Sequence, residues 1–300
     1  WMMWNWLISA LGTGCTIILY DGSPLHPKAD FLFDLIDREA ISVFGVSAKF
    51  LGSLQKEKVS PKKTHQLDSL KCLISTGSPL TQEGFEYSYQ EIKENMHLVS
   101  MTGGTDLISC FILGNPNLGV YSGELQSAGL GMAVDVWDDQ GNSIKEEKGE
   151  LVCTVAFPSC PIGFWGDPEN KLFLDAYFNR FNNTWVHGDF AEATANGGYI
   201  IHGRSDAVLN PGGVRIGTSE IYRQVETFED VLDSVCVGQT WDNDVRVILF
   251  IVLRQGVELR ETLADQIKLR IKTDASPRHT PAKIIAVEDI PRTMSGKTAE

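Results

Sequence analysis

Residues 203–221 carry the densest chemistry in the chain: Arg204 and Asp206, the turn Asn210-Pro211-Gly212-Gly213, Arg215, then Thr218-Ser219-Glu220-Ile221. Proline lacks an N–H and the two glycines admit positive φ, so 210–213 continues neither a helix nor a central strand. Thr218 or Ser219 is expected to cap the helix that follows, with Glu220 favourable in its positive first turn. Two arginines and an aspartate thus flank a sharp backbone break, the arrangement of a hinge beside an anion-binding site. Taken alone, the same residues fit a surface hairpin with ordinary charges.

The bulk of the chain limits what such a site could serve. Its 300 residues are 43% hydrophobic and 22% charged, a globular composition long enough for one large or two ordinary domains. The balance of 26 basic against 39 acidic residues, −13 formally, argues against a nucleic-acid or anionic-membrane surface. Phosphate binding must therefore be local, through a few cations and helix N-termini. The six cysteines form no C-x-x-C pair and signal neither zinc nor a disulfide framework, so a reducing cytoplasm is the expected compartment. Residues 1–20 carry no charge, but the break at 12–14 divides them into a helix and a strand over 15–20. Neither reaches the roughly 20 apolar residues of a membrane span, and a buried helix feeding a buried strand is expected.

The elements that position the chemistry alternate between helix and strand. Residues 28–40 place Phe31, Leu32, Leu35 and Ile36 on one helical face. A strand at 41–46, a helix at 47–56 and a polar loop at 61–65 follow. The strand 70–75 ends in Thr76-Gly77-Ser78-Pro79-Leu80, Thr81 caps a helix to about 94, and the strand 97–101 runs into Thr102-Gly103-Gly104-Thr105-Asp106. The pattern is that of an α/β sheet with helices on its faces, and both Gly-rich turns fall at carboxyl ends of strands, where ligands sit in such sheets. From 118 the texture becomes β-rich: a hairpin of 130–137 and 149–155 around Gly141-Asn142, a helix at 169–178, and strands at 185–190 and 197–202. Beyond 221 come a helix, strands at 234–238 and 245–253, a helix at 258–273 and a strand at 283–287, compact enough for a separate small domain.

In this order, Ser75-Thr76-Gly77-Ser78-Pro79-Leu80, the run Met101 to Asp106, Trp185-Val186-His187-Gly188-Asp189, residues 203–221 and Pro291-Arg292-Thr293-Met294-Ser295-Gly296-Lys297 resemble the adenylate-forming acyl-CoA synthetases. Trp1-Met2-Met3-Trp4-Asn5-Trp6 and Leu19-Tyr20-Asp21-Gly22-Ser23-Pro24-Leu25 resemble the acetoacetyl branch in particular, and the resemblance covers essentially the whole chain. It implies part of a large adenylate-forming domain over 1–206, a mixed α/β sheet with a small β subdomain at about 118–205. A small, mobile α+β domain over 207–300 would follow. It also implies an ATP-dependent, AMP-forming ligase that activates acetoacetate and passes it to coenzyme A, with Mg²⁺ as cofactor and neither nucleic acid nor a membrane span as partner.

The resemblance assigns roles residue by residue. Lys297 would bridge the substrate carboxylate and the α-phosphate, and Arg215 would pair with the nucleotide phosphate. Asp189 would accept hydrogen bonds from both ribose hydroxyls, with Arg204 closing from the other side. Gly77, Ser78 and Pro79 would line the adenine, Thr105 would contact phosphate, and Asp106 would help hold Mg²⁺ where many relatives carry Glu. Gly103 stands where acetate-specific relatives place a tryptophan, so Gly103 and Gly104 would leave room for a larger acyl group. Asp206 would be the pivot of the small domain, Gly213 would let pantetheine pass, and Lys272 would meet the phosphates of coenzyme A where related enzymes use arginine.

One family motif is missing. The Gly/Ser/Thr-rich loop for the β- and γ-phosphates normally precedes the region that opens here, and no such run occurs in the chain. The C-terminal half of a longer enzyme, trimmed at both ends, is therefore expected, with exposed core and poor solubility if made alone. A ligase for another short- or medium-chain acid and an inactive nucleotide-binding remnant stay open. A non-enzymatic scaffold would make Asp189, Arg204, Arg215 and Lys297 coincidences.

Overall fold

The computed structural model describes residues 2–211, 214–242, 244–292 and 298–299, without the side chains of 2–5. The chain divides into two units: Trp1–His187 with Glu192–Ile200, and Gly188–Ala191 with Ile201–Glu300. The mixed α/β class expected from the sequence is what forms.

The first unit opens with helix α1 (Met2–Leu11) and α2 (Phe31–Glu39). The face of α2 that is buried comprises Leu32, Phe33, Leu35 and Ile36. Phe33, which helical spacing did not assign to that face, is fully buried, whereas Phe31, which it did, is only partly buried. Strands β1 (Val43–Ser47), β2 (Cys72–Thr76) and β3 (His97–Ser100) form a parallel sheet in that order. Parallel neighbours need crossovers, and helices supply them. Between β1 and β2 lie α3 (Ala48–Lys56), capped by the Ser47 hydroxyl accepting the Phe50 N–H at 3.1 Å, and α4 (Pro61–Thr64). Between β2 and β3 lies α5 (Gln82–Tyr87), which continues as a π-turn over Ser88–Ile92. Thr81 caps α5 as expected, its hydroxyl accepting the Gly84 N–H at 3.1 Å. Phe33, Ile36, Leu51, Leu54, Leu70, Leu73 and Leu98, all fully buried, fill the space between these helices and the sheet.

Three expectations fail in this region. The N-terminal helix α1 is not buried: Ile8 and Leu11 are 51% and 61% exposed. The polar loop at 61–65 is a helical turn, because Pro61 stands at its first position, where the missing N–H is one the helix leaves unused. The strand at 15–20 does not form, and Ile18, Leu19 and Tyr20 are 39%, 70% and 41% exposed. Strand propensity is expressed only against a partner and a packed face; among the described residues no strand pairs with this segment.

Beyond β3 the first pairings are antiparallel. Strands β4 (Thr102–Gly104), β5 (Ser109–Leu113) and β6 (Ser127–Ala128) form one small sheet. Strands β7 (Val134–Trp137) and β8 (Lys148–Cys153) pair as the expected hairpin. Helix α6 (Lys171–Phe178) follows, then β9 (Trp185–Ala193) and β10 (Tyr199–Arg204), strands in the hydrogen-bonded order β10-β9-β8-β7 whose residues 188–191 and 201–204 belong to the second unit.

In the second unit α7 (Thr218–Val225) and α8 (Glu261–Asp274) pack with a sheet of β11 (Val231–Trp241), β12 (Asp244–Leu253) and β13 (Lys283–Val287). The β11–β12 pair is antiparallel and the β12–β13 pair parallel. Ile221, Val225, Leu249, Ile251, Ile267 and Ile271 form its fully buried core. The cap of α7 is Gly217, not Thr218 or Ser219. A Cβ on Gly217 would strike the His202 carbonyl oxygen, the Ser219 hydroxyl donates to that same oxygen, and the Glu220 carboxylate accepts the Gly217 N–H at 3.0 Å. Close backbone approach therefore overrides capping preference.

Leu73 is fully buried on β2, the middle strand of the parallel sheet. Leu73→Ala is expected to destabilise the first unit by about 3 kcal/mol, read as a lower urea midpoint.

Candidate active site

Parallel pairing of β2 with β3 sets Ser75 opposite Ser100. The ladder continues one step further, the Met101 N–H donating to the Ser75 carbonyl at 3.1 Å and the Thr76 hydroxyl donating to the Met101 carbonyl at 3.4 Å. The two Gly-rich turns therefore leave the sheet side by side. Gly77, Ser78 and Pro79 stand at the first, with Gly77 and Ser78 exposed. Gly77 has φ +91° and only one heavy atom, the Ser47 Cβ at 4.0 Å, near the place of a side chain. Its glycine serves conformation, not space.

The second turn enters β4. Gly103 faces Cys110 across the β4–β5 ladder, beside a register shift between Thr102 and Gly103. A Cβ there would strike the Ser109 carbonyl oxygen and come within 2.7 Å of the Cys110 Cα. Glycine at 103 is thus demanded by backbone contact, whatever room it leaves for an acyl group. Burial pushes the thiol of Cys110 up to about 12, so this cysteine is no nucleophile at neutral pH. At Gly104 a Cβ would strike Asp106 Oδ1 and come within 3.0 Å of His187 Cε1. Thr105 is exposed and Asp106 half-buried.

Asp106 is held from both sides. Its Oδ1 accepts the Leu107 N–H at 3.1 Å, and its Oδ2 accepts the Tyr177 hydroxyl at 2.7 Å. Tyr177 lies on α6 and stacks on Trp185 with ring centroids 3.7 Å apart and planes 13° from parallel. His187 packs edge-on against Phe111 at 4.6 Å, with the Trp185 indole N–H 3.5 Å from its Nδ1. Helix α6 is itself anchored. Asp167 accepts the Phe173 N–H at 3.0 Å. Just past its end, Arg180 pairs with Glu150, which is 1% exposed, and with Asp139 at 2.6 Å. Tyr177 and His187 were not singled out by sequence reading; the available signal was the aromatic spacing Phe173, Tyr177, Phe178, Trp185, with a polar tip on Tyr177.

Among the described residues no group of three or more His, Cys, Asp or Glu could hold a metal ion. Asp106 nevertheless fits Mg²⁺, which takes hard oxygen ligands and is commonly held by one or two carboxylates, substrate phosphates and water.

In the second unit Asp189 is buried on β9, and Arg204, the last residue of β10, donates to its Oδ1 at 3.3 Å and to Asp206 Oδ1 at 3.4 Å. Gly188 has φ +80°, and a Cβ on it would come within 2.6 Å of Arg204 Nη2. Glycine there is what lets the guanidinium lie along the β9 backbone. The Asp206 side chain is 77% exposed. The Arg215 guanidinium lies 5.7 Å from the Phe190 ring centroid, within cation–π range. Lys272 is exposed in the last turn of α8. Gly213 and Lys297 lie outside the described residues.

Residues 1–156 match the family described as AMP-binding enzyme. Over all 300 residues the chain is 58% identical to the acetoacetyl-coenzyme A synthetase of Rhizobium meliloti (strain 1021), covering 46% of that protein. It is 46% identical to the acetoacetyl-CoA synthetase of Gallus gallus, covering 45% of it. The solved acetoacetyl-CoA synthetase from Streptomyces lividans superposes with a TM-score of 0.92 at 40% identity, over the whole of this chain and 46% of that one. The chain thus spans less than half the length of these relatives.

Gly103 yields a test of the steric argument. Gly103→Ala is expected to lower stability by about 1–3 kcal/mol through the clash with β5, measured by denaturant unfolding. The same instability would precede any change of acid preference in Gly103→Trp.

Proposed function

The chain belongs to the AMP-binding enzyme family, and on that premise we propose that it forms part of an ATP-dependent, AMP-forming ligase that converts acetoacetate to acetoacetyl-CoA. The observation that carries the proposal is whole-chain identity to relatives named for that activity. In the first half-reaction a carboxylate oxygen of the acid attacks the α-phosphorus of ATP and pyrophosphate leaves. In the second, the thiol sulfur of coenzyme A attacks the acyl carbon and AMP departs with the electron pair of the broken C–O bond.

Each step needs fixed charge where negative charge develops. Lys297 is the proposed cation between the acid carboxylate and the α-phosphate, with Thr105 and Arg215 at phosphate oxygens. Gly77, Ser78 and Pro79 are proposed to lie along the adenine. Asp189 is proposed to accept from the ribose hydroxyls, in keeping with a carboxylate already held in place by Arg204. Bound Mg²⁺ would neutralise charge on the phosphates, held by Asp106 on its carboxylate side. For the second half-reaction, residues 207–300 are proposed to turn about Asp206 relative to 1–206, with Gly213 and Lys272 serving coenzyme A. Among the described residues no helix is long and apolar enough to cross a membrane; a cytoplasmic enzyme is proposed.

The full-length protein, given ATP, coenzyme A and a panel of short acids, is expected to form AMP and pyrophosphate fastest with acetoacetate. Equal or faster turnover of acetate or butyrate would overturn the substrate assignment. Lys297→Ala is expected to lower acetoacetate-dependent ATP–pyrophosphate exchange by about 100-fold or more, while thioester formation from supplied acetoacetyl-adenylate persists. Loss of both activities would contradict a role confined to the first half-reaction.

A further inference from the structure

We propose that Tyr177 is a positioning residue: its hydroxyl fixes the Asp106 carboxylate in the one orientation in which it meets the metal–nucleotide. The proposal rests on the reading of Asp106 given above and extends it to a residue 71 positions away in the chain.

Three features of the first unit converge on it. The Tyr177 hydroxyl donates to Asp106 Oδ2 at 2.7 Å, the distance of a charge-assisted O–H···O bond. Asp106 Oδ1 occupies the space that a Cβ on Gly104 would need, so the carboxylate is folded back over β4 and only glycine at 104 permits it. Finally, the phenol cannot swing away. It is stacked on Trp185 at 3.7 Å and flanked edge-on by Phe173 at 5.5 Å and Phe164 at 5.8 Å. The end of its helix is tied to buried Glu150 by Arg180.

A half-exposed aspartate on a short turn normally samples several rotamers, and a ligand must then stop that motion on binding. Here the ordering is complete before the ligand arrives. Carboxylates that ligate metals are commonly hydrogen-bonded in turn, and removing such a partner weakens metal binding by about 10- to 100-fold. Tyr177→Phe removes the donor while keeping the ring that stacks on Trp185.

The experiment uses full-length protein with Mn²⁺ as a paramagnetic probe and a non-hydrolysable ATP analogue, bound Mn²⁺ being read by electron paramagnetic resonance. Tyr177→Phe is expected to weaken Mn²⁺ binding about tenfold, with amide exchange in α6 unchanged. Asp106→Asn is expected to weaken it at least as much, and Tyr177→Phe added to Asp106→Asn should cost nothing further. Wild-type Mn²⁺ affinity in Tyr177→Phe, or an equal additional loss in the double variant, overturns the positioning role and leaves the metal assignment standing. Unchanged binding in Asp106→Asn overturns the metal assignment and the positioning role together. Loosened α6 exchange with the same loss in both backgrounds assigns Tyr177 to packing alone and also overturns it.

Discussion

The first unit depends on one pairing, that of β2 with β3. These strands run parallel, in register, for four residues, and the hydrogen bond from the Met101 N–H to the Ser75 carbonyl carries the register one step beyond the regular ladder. Because it does, two turns separated by a helix in sequence emerge together, and everything built on them inherits their alignment. The fully buried leucines of β2 and β3 hold the register, since a slip of one residue would turn Leu73 and Leu98 to the opposite face. The two turns of the candidate site are thus aligned by hydrophobic burial a few residues away from them.

Local patterning made most of the scaffold readable. Alternation of helix and strand identified the sheet, and the Ser47 and Thr81 caps mark starts that side chains themselves determine. Two of the failures share a cause: they are positions where a distant partner decides. The segment 15–20 looks like a strand by composition and has no neighbour to pair with among the described residues. Thr218 is a good cap by type, yet the His202 carbonyl leaves room only for Gly217 at that place.

The candidate site was legible only where its features are local. The Gly-rich turns and the charges of 203–221 are recognisable because backbone conformation and charge are local properties, and Gly77 has the positive φ that such a turn admits; Asp189 is assigned only through the resemblance. Tyr177 was not recognisable, because its importance comes from a contact spanning the β5–β8 segment of the chain. Gly103 is intermediate: the residue type was noticed, but the reason for it is a carbonyl oxygen of the neighbouring strand. In the second unit the Asp189–Arg204–Asp206 cluster is acidic by one charge, and Arg204 acts within it as a shared counter-ion between a buried and an exposed carboxylate.

Cys110 carries a consequence of a different kind. Its thiol lies across the ladder from Gly103, and with a pKa pushed to about 12 its thiolate fraction at neutral pH is about 10⁻⁵. Peroxides and electrophilic drugs react with thiolates, and reach them through solvent. Burial therefore keeps the Cys110 thiol out of such reactions at the very place where the β4–β5 backbone has no slack. Cys15, on a segment outside the described sheets, is by contrast the thiol that solvent reaches most freely.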